Sequence, residues 1–530
     1  CYVTNFAKDV NNYYVGALNE DNNYVVSTDE NGSITLPLQD GKYMAVEIGY
    51  PEGYLQKDIT QYFEIKSNSE NVVNPEKPVE PEEPKDDEPT DVIEISSIED
   101  LINVQKNVSE GESYKDKVLK LTRTLDFNSE DSYIDAHSTE FGDINENGTI
   151  EELITELNTD SGFAMIGEKD KPFEGIFDGN NFEIKNIHIV RLSNYVGLFS
   201  YIKYGGVKNL TVDGNVIANN IIENKQISIN EPAVGGIIGY IEDGKIVSNC
   251  VNNVKIQGGY YAFGGIVGAV ASCEEISNCV NKAIISSGTY MGGIVGFAKA
   301  YDDAVRGVIN IKDCHNNADI MGTTYSGSCG GIYGGLSYGE STPDENMIIN
   351  IENCYNDVDI IGCYAGGIAG RIGNNYSIVN CQNTGNITSS NGGGGIIGWI
   401  YTGLDGEISK CVNSGNITDS GSGEVGGIIG YTYTSGEVIN IRETINRGNV
   451  SGKRNVGGII GNSYVPLNMV NTDNYGYVNA EDNNSGSLGG FVGYFNAYNT
   501  NNVDKDLILK DCNNYVENIN AIGFTGGFIG

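Results

Sequence analysis

Across roughly the last three hundred residues the apolar positions come in short bursts, each closed by Gly, Asn or Ser, and none follows helical spacing. Three bursts recur in most units: one around a Gly-Gly-Ile core, one ahead of a Cys, and one after an Asn, as in Asn386-Ile387-Thr388. Bursts of this length with that punctuation predict short strands joined by tight turns. The glycine core, Gly-Gly-Ile/Phe-X-Gly, begins at Gly235, Gly264, Gly292, Gly330, Gly366, Gly394, Gly426, Gly457, Gly489 and Gly526. Successive copies lie 29, 28, 38, 36, 28, 32, 31, 32 and 37 residues apart, in the range of stacked repeats.

A second fixed element sits between the cores. It reads Cys-X-Asn at Cys250/Asn252, Cys279/Asn281, Cys314/Asn316, Cys354/Asn356, Cys381/Asn383, Cys411/Asn413 and Cys512/Asn514, and Thr-X-Asn at Thr444/Asn446 and Thr472/Asn474. Asn keeps its place in every interval while Cys gives way to Thr twice. Thr has a similar small volume but neither forms disulfides nor binds soft metals, so the column reads as a compact, inward, inert thiol ladder. The Asn two residues later shares its orientation, and stacked amides can satisfy one another.

A unit this short and glycine-rich cannot bury a face alone, which predicts an all-β fold in which each repeat is one turn of a β-solenoid, or β-helix. Core position three holds only Ile or Phe, from Ile237 to Phe528, so it faces inward. The glycines flanking it mark either close approach of the next coil or positive φ.

Upstream, Ser96-Ser97-Ile98-Glu99-Asp100 offers capping-box pairings, and Ile98, Leu101, Ile102 and Val108 recur near helical spacing up to Gly111. One helix there would cover the open apolar end of the first coil. Degenerate coils follow, in which Leu210 takes the Cys column. The run 74–89 is Pro- and Glu-rich and reads as an extended spacer. The organisation expected is therefore a small β-sandwich at 1–68, a linker at 69–91 and a β-helix at 92–530. Within the last, 92–127 forms the capping helix and first coil, 128–162 an inserted loop, and 163–530 the remaining coils, truncated at the C-terminus.

The Gly-Gly-Ile-Val-Gly plus Asn-Cys-X-Asn pattern resembles the GLUG motif of bacterial surface proteins, also found ahead of the catalytic part of immunoglobulin-A-cleaving metallopeptidases. That resemblance implies a β-helical array, extracellular and associated with the cell surface or a peptidoglycan-anchored cell wall. Residues 36–54 resemble the prealbumin-like, Cna-B-type domains of Gram-positive surface proteins. In that family a Glu at the place of Glu47 can promote a Lys–Asn isopeptide bond, for which Lys8 is the available lysine; a solvated strand residue is the competing reading.

Lys+Arg 32 against Asp+Glu 71 gives a net charge of −39, which excludes nucleic-acid binding and anionic-membrane binding. No initiator Met, signal peptide, transmembrane run or sorting motif is present, so the chain reads as a fragment with no direct membrane insertion. No His-Glu-X-X-His occurs, and His137, His188 and His315 lack metal-ligand spacing. Asp302-Asp303 and Asp357 with Asp359 are the only paired carboxylates that a polysaccharide lyase could use, and they read as solvated.

Asp143, Asn145 and Asn147 followed by Gly148, with Glu151 ninth, open like a calcium loop. The twelfth position is Ile154, so Glu152 or Glu156 would have to substitute; a structural calcium competes with a metal-free polar loop, and no other cofactor is expected. Distances from glycine core to Cys column rise after Gly292, Gly330 and Gly489, which collects insertions at one corner. Beside that corner stand Tyr240, Phe297, Trp399, Tyr431 and Tyr494, an outer aromatic stripe that either docks a ligand or anchors the inserted loops. The expected function is a non-catalytic surface adhesin or stalk that binds a host or matrix protein or glycan. The alternatives are the stalk of a secreted immunoglobulin-A-type metallopeptidase whose catalytic domain lies beyond residue 530, and a polysaccharide-binding or polysaccharide-lyase β-helix.

Overall fold

The chain divides in a computed structural model into two compact units, Cys1–Thr90 and Asp91–Gly530. In the first unit it describes four strands. In the second it describes residues 91–128, 161–191, 193–218, 221–222, 225–226, 232–258, 261–286, 288–298, 307–322, 327–335, 347–373, 375–401, 406–433, 438–480, 486–497, 506–515 and 524–530.

The first unit is an antiparallel sheet of Val26–Ser27, Tyr2–Val3, Gly41–Gly49 and Thr60–Ile65, in that spatial order. Glu47 pairs with Val3 on the first strand. Lys8 lies outside the described residues.

The second unit is a β-solenoid. Strands preceding the Cys column stack in a thirteen-stranded sheet, and strands following the glycine core stack in a ten-stranded sheet. The strands that carry Asn, and those leading to the next core, make the third face. Pairing between coils is parallel and in register: Val280↔His315 and Asn281↔Asn316, then His315↔Tyr355 and Asn316↔Asn356. At about 4.8 Å per strand the thirteen-stranded sheet runs for about 60 Å.

Like residues therefore sit above like. Position three of the core is fully buried from Ile237 through Phe491, worth about 1.5–3 kcal/mol per side chain. Phe528, in the last coil, stacks on Phe491 at 5.1 Å but is 41% exposed.

The nine Asn side chains form one continuous ladder. Each Nδ2 donates to the Oδ1 of the next coil, from Asn252→Asn281 at 2.9 Å through Asn383→Asn413 at 2.8 Å to Asn474→Asn514 at 3.0 Å. The ladder explains the second glycine of each core. A Cβ on Gly236, Gly265 or Gly427 would overlap the amide of Asn252, Asn281 or Asn446 and the neighbouring coil's backbone. None of these core glycines has positive φ among the described residues, so close approach is the reason for them.

The Cys column donates to backbone carbonyls. Cys279 Sγ lies 3.2 Å from the Ser277 carbonyl and 3.5 Å from that of Val247 in the coil below. Thr472 Oγ1 makes the equivalent pair to Val470 and Ile441, at 3.3 and 3.4 Å. Thr thus replaces Cys because both are small side chains with a donor in the same place. Leu210, with no donor, fills the same buried column in a degenerate coil.

Immediately before this column the chain turns through the left-handed region at Asn209, Asn249, Asn278, Asp313, Asn353, Asn380, Lys410, Glu443, Asn471 and Asp511, with φ between 49° and 54° except 55° at Lys410. Asn and Asp tolerate that conformation best among residues with a side chain, which accounts for most of the column.

The capping helix spans Ile98–Glu110. Ser97 is its N-cap and pairs reciprocally with Asp100, and Gly111 ends it at φ 110°. Its buried face is Ile98, Leu101, Val104 and Val108, with Ile102 only partly buried. That face belongs to the same buried cluster as Leu119, Leu121 and Phe173 of the solenoid.

Candidate functional site

The glycine core bends the coil so sharply that residues on either side of it face each other outside the solenoid. From Gly235 on, the residue two before the first Gly and the residue five after it line the two walls of a corner; in the coil before, one residue shorter, the equivalent pair is Tyr195 and Tyr201. In the early coils these walls are Tyr195 with Tyr201, Ala233 with Tyr240, and Tyr290 with Phe297. Ring centroids across the corner are 5.4 Å apart for Tyr195–Tyr201 and 4.9 Å for Tyr290–Phe297. These side chains form a hydrophobic cluster separate from the main core.

The predicted aromatic stripe lies on this outer side, but its members have unequal access. Tyr240 and Phe297 are fully buried. Tyr240 stacks on Tyr195 at 5.0 Å and Phe297 packs against Tyr261 at 5.4 Å. The sequence could not show this, because the covering rings come from the opposite wall and from neighbouring coils. Beside Tyr240 the Glu242 carboxylate accepts from the Tyr201 hydroxyl and pairs with Lys203 at 2.7 Å.

Beyond Gly335 the corner changes chemistry. Arg371 is 2% exposed, with its guanidinium 4.3 Å from the rings of both Trp399 and Tyr401. A cation desolvated between two rings is held by their quadrupoles, at about 2 kcal/mol. Trp399 is 4.2 Å from Tyr364 on the facing wall.

Farther along, Trp399, Tyr431, Asn462 and Tyr494 occupy consecutive rungs of the ten-stranded sheet. Tyr431 and Tyr494 are half-buried, and Tyr433, two residues beyond Tyr431, is 41% exposed. Tyr464 lies 6.0 Å from Tyr431 and 6.1 Å from Tyr494. On the opposite wall Glu424 is buried; its Oε1 lies 3.4 Å from Asn462 Nδ2 and 3.7 Å from Arg454 Nε. Burial pushes the Glu424 carboxyl above the ordinary range, opposed by Arg454 and the Asn462 amide.

Arg371, Glu424, Asn462 and the second row of Tyr401, Tyr433 and Tyr464 were not among the sequence candidates. Asn462 stands in the aromatic column without being aromatic, and Glu424 is found only by counting two residues back from Gly426.

The other candidates add nothing to this corner among the described residues. Asp143, Asn145, Asn147 and Glu151 lie outside the described residues, as does the Asp302-Asp303 pair. Asp357 accepts from Thr384 at 2.9 Å and pairs with His315 at 2.6 Å, while Asp359 accepts from the Asn386 backbone at 2.8 Å; both are exposed. Cys250, Cys279, Cys314, Cys354, Cys381 and Cys411 are buried free thiols, and Cys512 is half-buried. Burial pushes the Cys314 and Cys354 thiols well above the usual thiol range, which disfavours the thiolate there. No group of His, Cys, Asp or Glu among the described residues could hold a metal ion, and no described helix is long and apolar enough to cross a membrane.

Comparison with known proteins bears mainly on the first unit. Residues 8–77 match the family model described as SpaA, prealbumin-like fold domain. No curated protein matches the chain. Among solved structures, the chain is similar to a crystal structure of a candidate immunoglobulin A1 protease from Bacteroides ovatus, at 17% identity and TM-score 0.25, over 82% of this chain and 83% of that one. Likeness at that level carries no argument about activity.

Proposed function

We propose that this chain is a non-catalytic segment of an extracellular bacterial surface protein of the GLUG-repeat type, acting as a stalk and adhesin. The observation that carries this reading is the corner of the later coils, where Tyr431, Asn462 and Tyr494 stand on consecutive rungs beside the exposed Tyr433. A row repeated at a fixed rise suits repetitive or multivalent ligands, which gain affinity from many weak contacts. The prealbumin-like domain at 8–77 supports a surface location.

The test is to incubate the full chain with panels of immobilised glycans and extracellular-matrix proteins, and to analyse both surface and supernatant by mass spectrometry. Retention of the chain with no cleaved ligand is the expected result. Release of peptide or sugar fragments by the chain itself would overturn the non-catalytic reading. Binding to no member of either panel would overturn the adhesin.

A further inference from the structure

Resting on that reading, we infer that the corner around Glu424, Tyr431, Asn462 and Tyr494 is a glycan site that takes a neutral, unbranched chain of pyranose rings lying along the solenoid axis. Three observations lead there. The first is aromatic surface: the half-buried Tyr431 and Tyr494 stand two rungs apart in one column and Tyr464 links them at 6.0 and 6.1 Å, while Trp399, one rung before Tyr431, is buried beneath Tyr364 and Arg371. Aromatic faces stack against the C–H faces of sugar rings, and an extended glycan advances per residue by close to the coil rise of about 4.8 Å.

The second is an unmet acceptor. Asn462 is fully buried and its Oδ1 has no hydrogen-bond partner, although its Nδ2 reaches toward Glu424. A buried carbonyl oxygen left in this state favours whatever can donate to it. Glu424 beside it is a second acceptor, so the floor of the corner presents oxygens that match hydroxyl donors.

The third is charge. The buried Glu424 and the net charge of −39 disfavour polyanionic glycans, and the single cation touching Glu424 among the described residues, Arg454, is 53% exposed and already paired. Arg454 reaches Glu424 from the solvent side. A sugar hydroxyl reaching Glu424 would displace it, so its removal should leave binding intact.

Trp399 is the only tryptophan in the chain, so its fluorescence reports on this column without labelling. The full chain is titrated with cellohexaose and chitohexaose, and separately with an oligogalacturonate of the same length. A saturable change in emission with a neutral hexaose is expected. Asn462→Leu, which keeps the volume, and Tyr494→Ala should each weaken binding at least tenfold, whereas Arg454→Ala should hold or tighten it. Preference for the oligogalacturonate, or loss of binding in Arg454→Ala, would overturn the inference in favour of an anion site. If neither neutral hexaose binds but the chain still adheres to matrix proteins, the glycan assignment fails and the adhesin stands. If it adheres to nothing, both fail.

Discussion

Replacing Asn383 by Ala tests whether the amide ladder holds the coils together. Asn383 is fully buried. Its Nδ2 donates to the Gly385 carbonyl and to Asn413 Oδ1, each at 2.8 Å, and its Oδ1 accepts from Asn356 Nδ2 at 2.8 Å. Three neutral hydrogen bonds at about 1 kcal/mol each set a floor of about 3 kcal/mol. The Gly385 and Asn413 oxygens lose their side-chain donor where water has little access, which raises the cost to about 6 kcal/mol. Asn383→Asp keeps the shape and still accepts from Asn356, yet it sets a carboxylate against two acceptors. It should be at least as harmful at pH 7 and partly relieved in acid, because burial raises the pKa and the protonated acid can donate again. A stacked array does not unfold in one step, so the readout is hydrogen exchange resolved by peptide. Protection should fall in the coils spanning 354–415 and recover with distance. The half-buried outer ladder supplies the control: Asn350, which donates to Asn310 at 2.9 Å, should cost about 1 kcal/mol or less as Ala. Equal, small effects at Asn383 and Asn350 would refute the ladder as a source of stability.

Lys410 and Glu443 sit in the left-handed column at φ 55° and 49°. Lys410→Asn and Glu443→Asn should each raise local stability by about 0.5–1 kcal/mol, measured by the same exchange experiment. Gly427→Ala would drive a methyl into the Gly458 carbonyl and the Asn446 amide, so it should cost about 1–3 kcal/mol of local stability in the same exchange experiment although no left-handed conformation is involved. At the cap, burial raises the Asp100 pKa, but hydrogen bonds from Ser96 and Ser97 outweigh it and hold the carboxyl below its ordinary 3.8. A depressed folded pKa means that the stabilisation is complete above the unfolded value and fades as pH falls through the folded one. Exchange in the helix Ile98–Glu110 should therefore quicken below about pH 4, by about 1 kcal/mol of cap stability, and Asp100→Asn should remove that dependence.

The solenoid was legible because each coil contributes one residue per column, so Ile237 through Phe491, or Asn252 through Asn514, appear as a period in the sequence before any coordinates. The reason for the second core glycine was not legible. Gly236 meets the Asn252 amide, and only the folded coil brings those two positions together. The left-handed column was partly visible as Asn ahead of Cys, yet Lys410 and Glu443 break the residue type while keeping the backbone. The corner was the hardest to read. Parity placed Tyr240, Trp399 and Tyr431 outside the core, but Tyr240 and Trp399 are buried against Tyr195 and Tyr364 of the facing wall while Tyr431 is half-buried, and those pairings run across a bend.

The side-chain amides that link Asn252 to Asn514 all donate in one direction, toward the later coil. Every interior rung thus offers the same socket to the earlier coil and the same plug to the later one. A whole unit can be duplicated or excised anywhere between Asn252 and Asn514 and the severed partners still meet in the correct sense. Such a chain can change length in integral steps during replication, with no fresh seam to be invented, while a fractional step would take an Asn out of the column and leave its neighbours' amides unmatched.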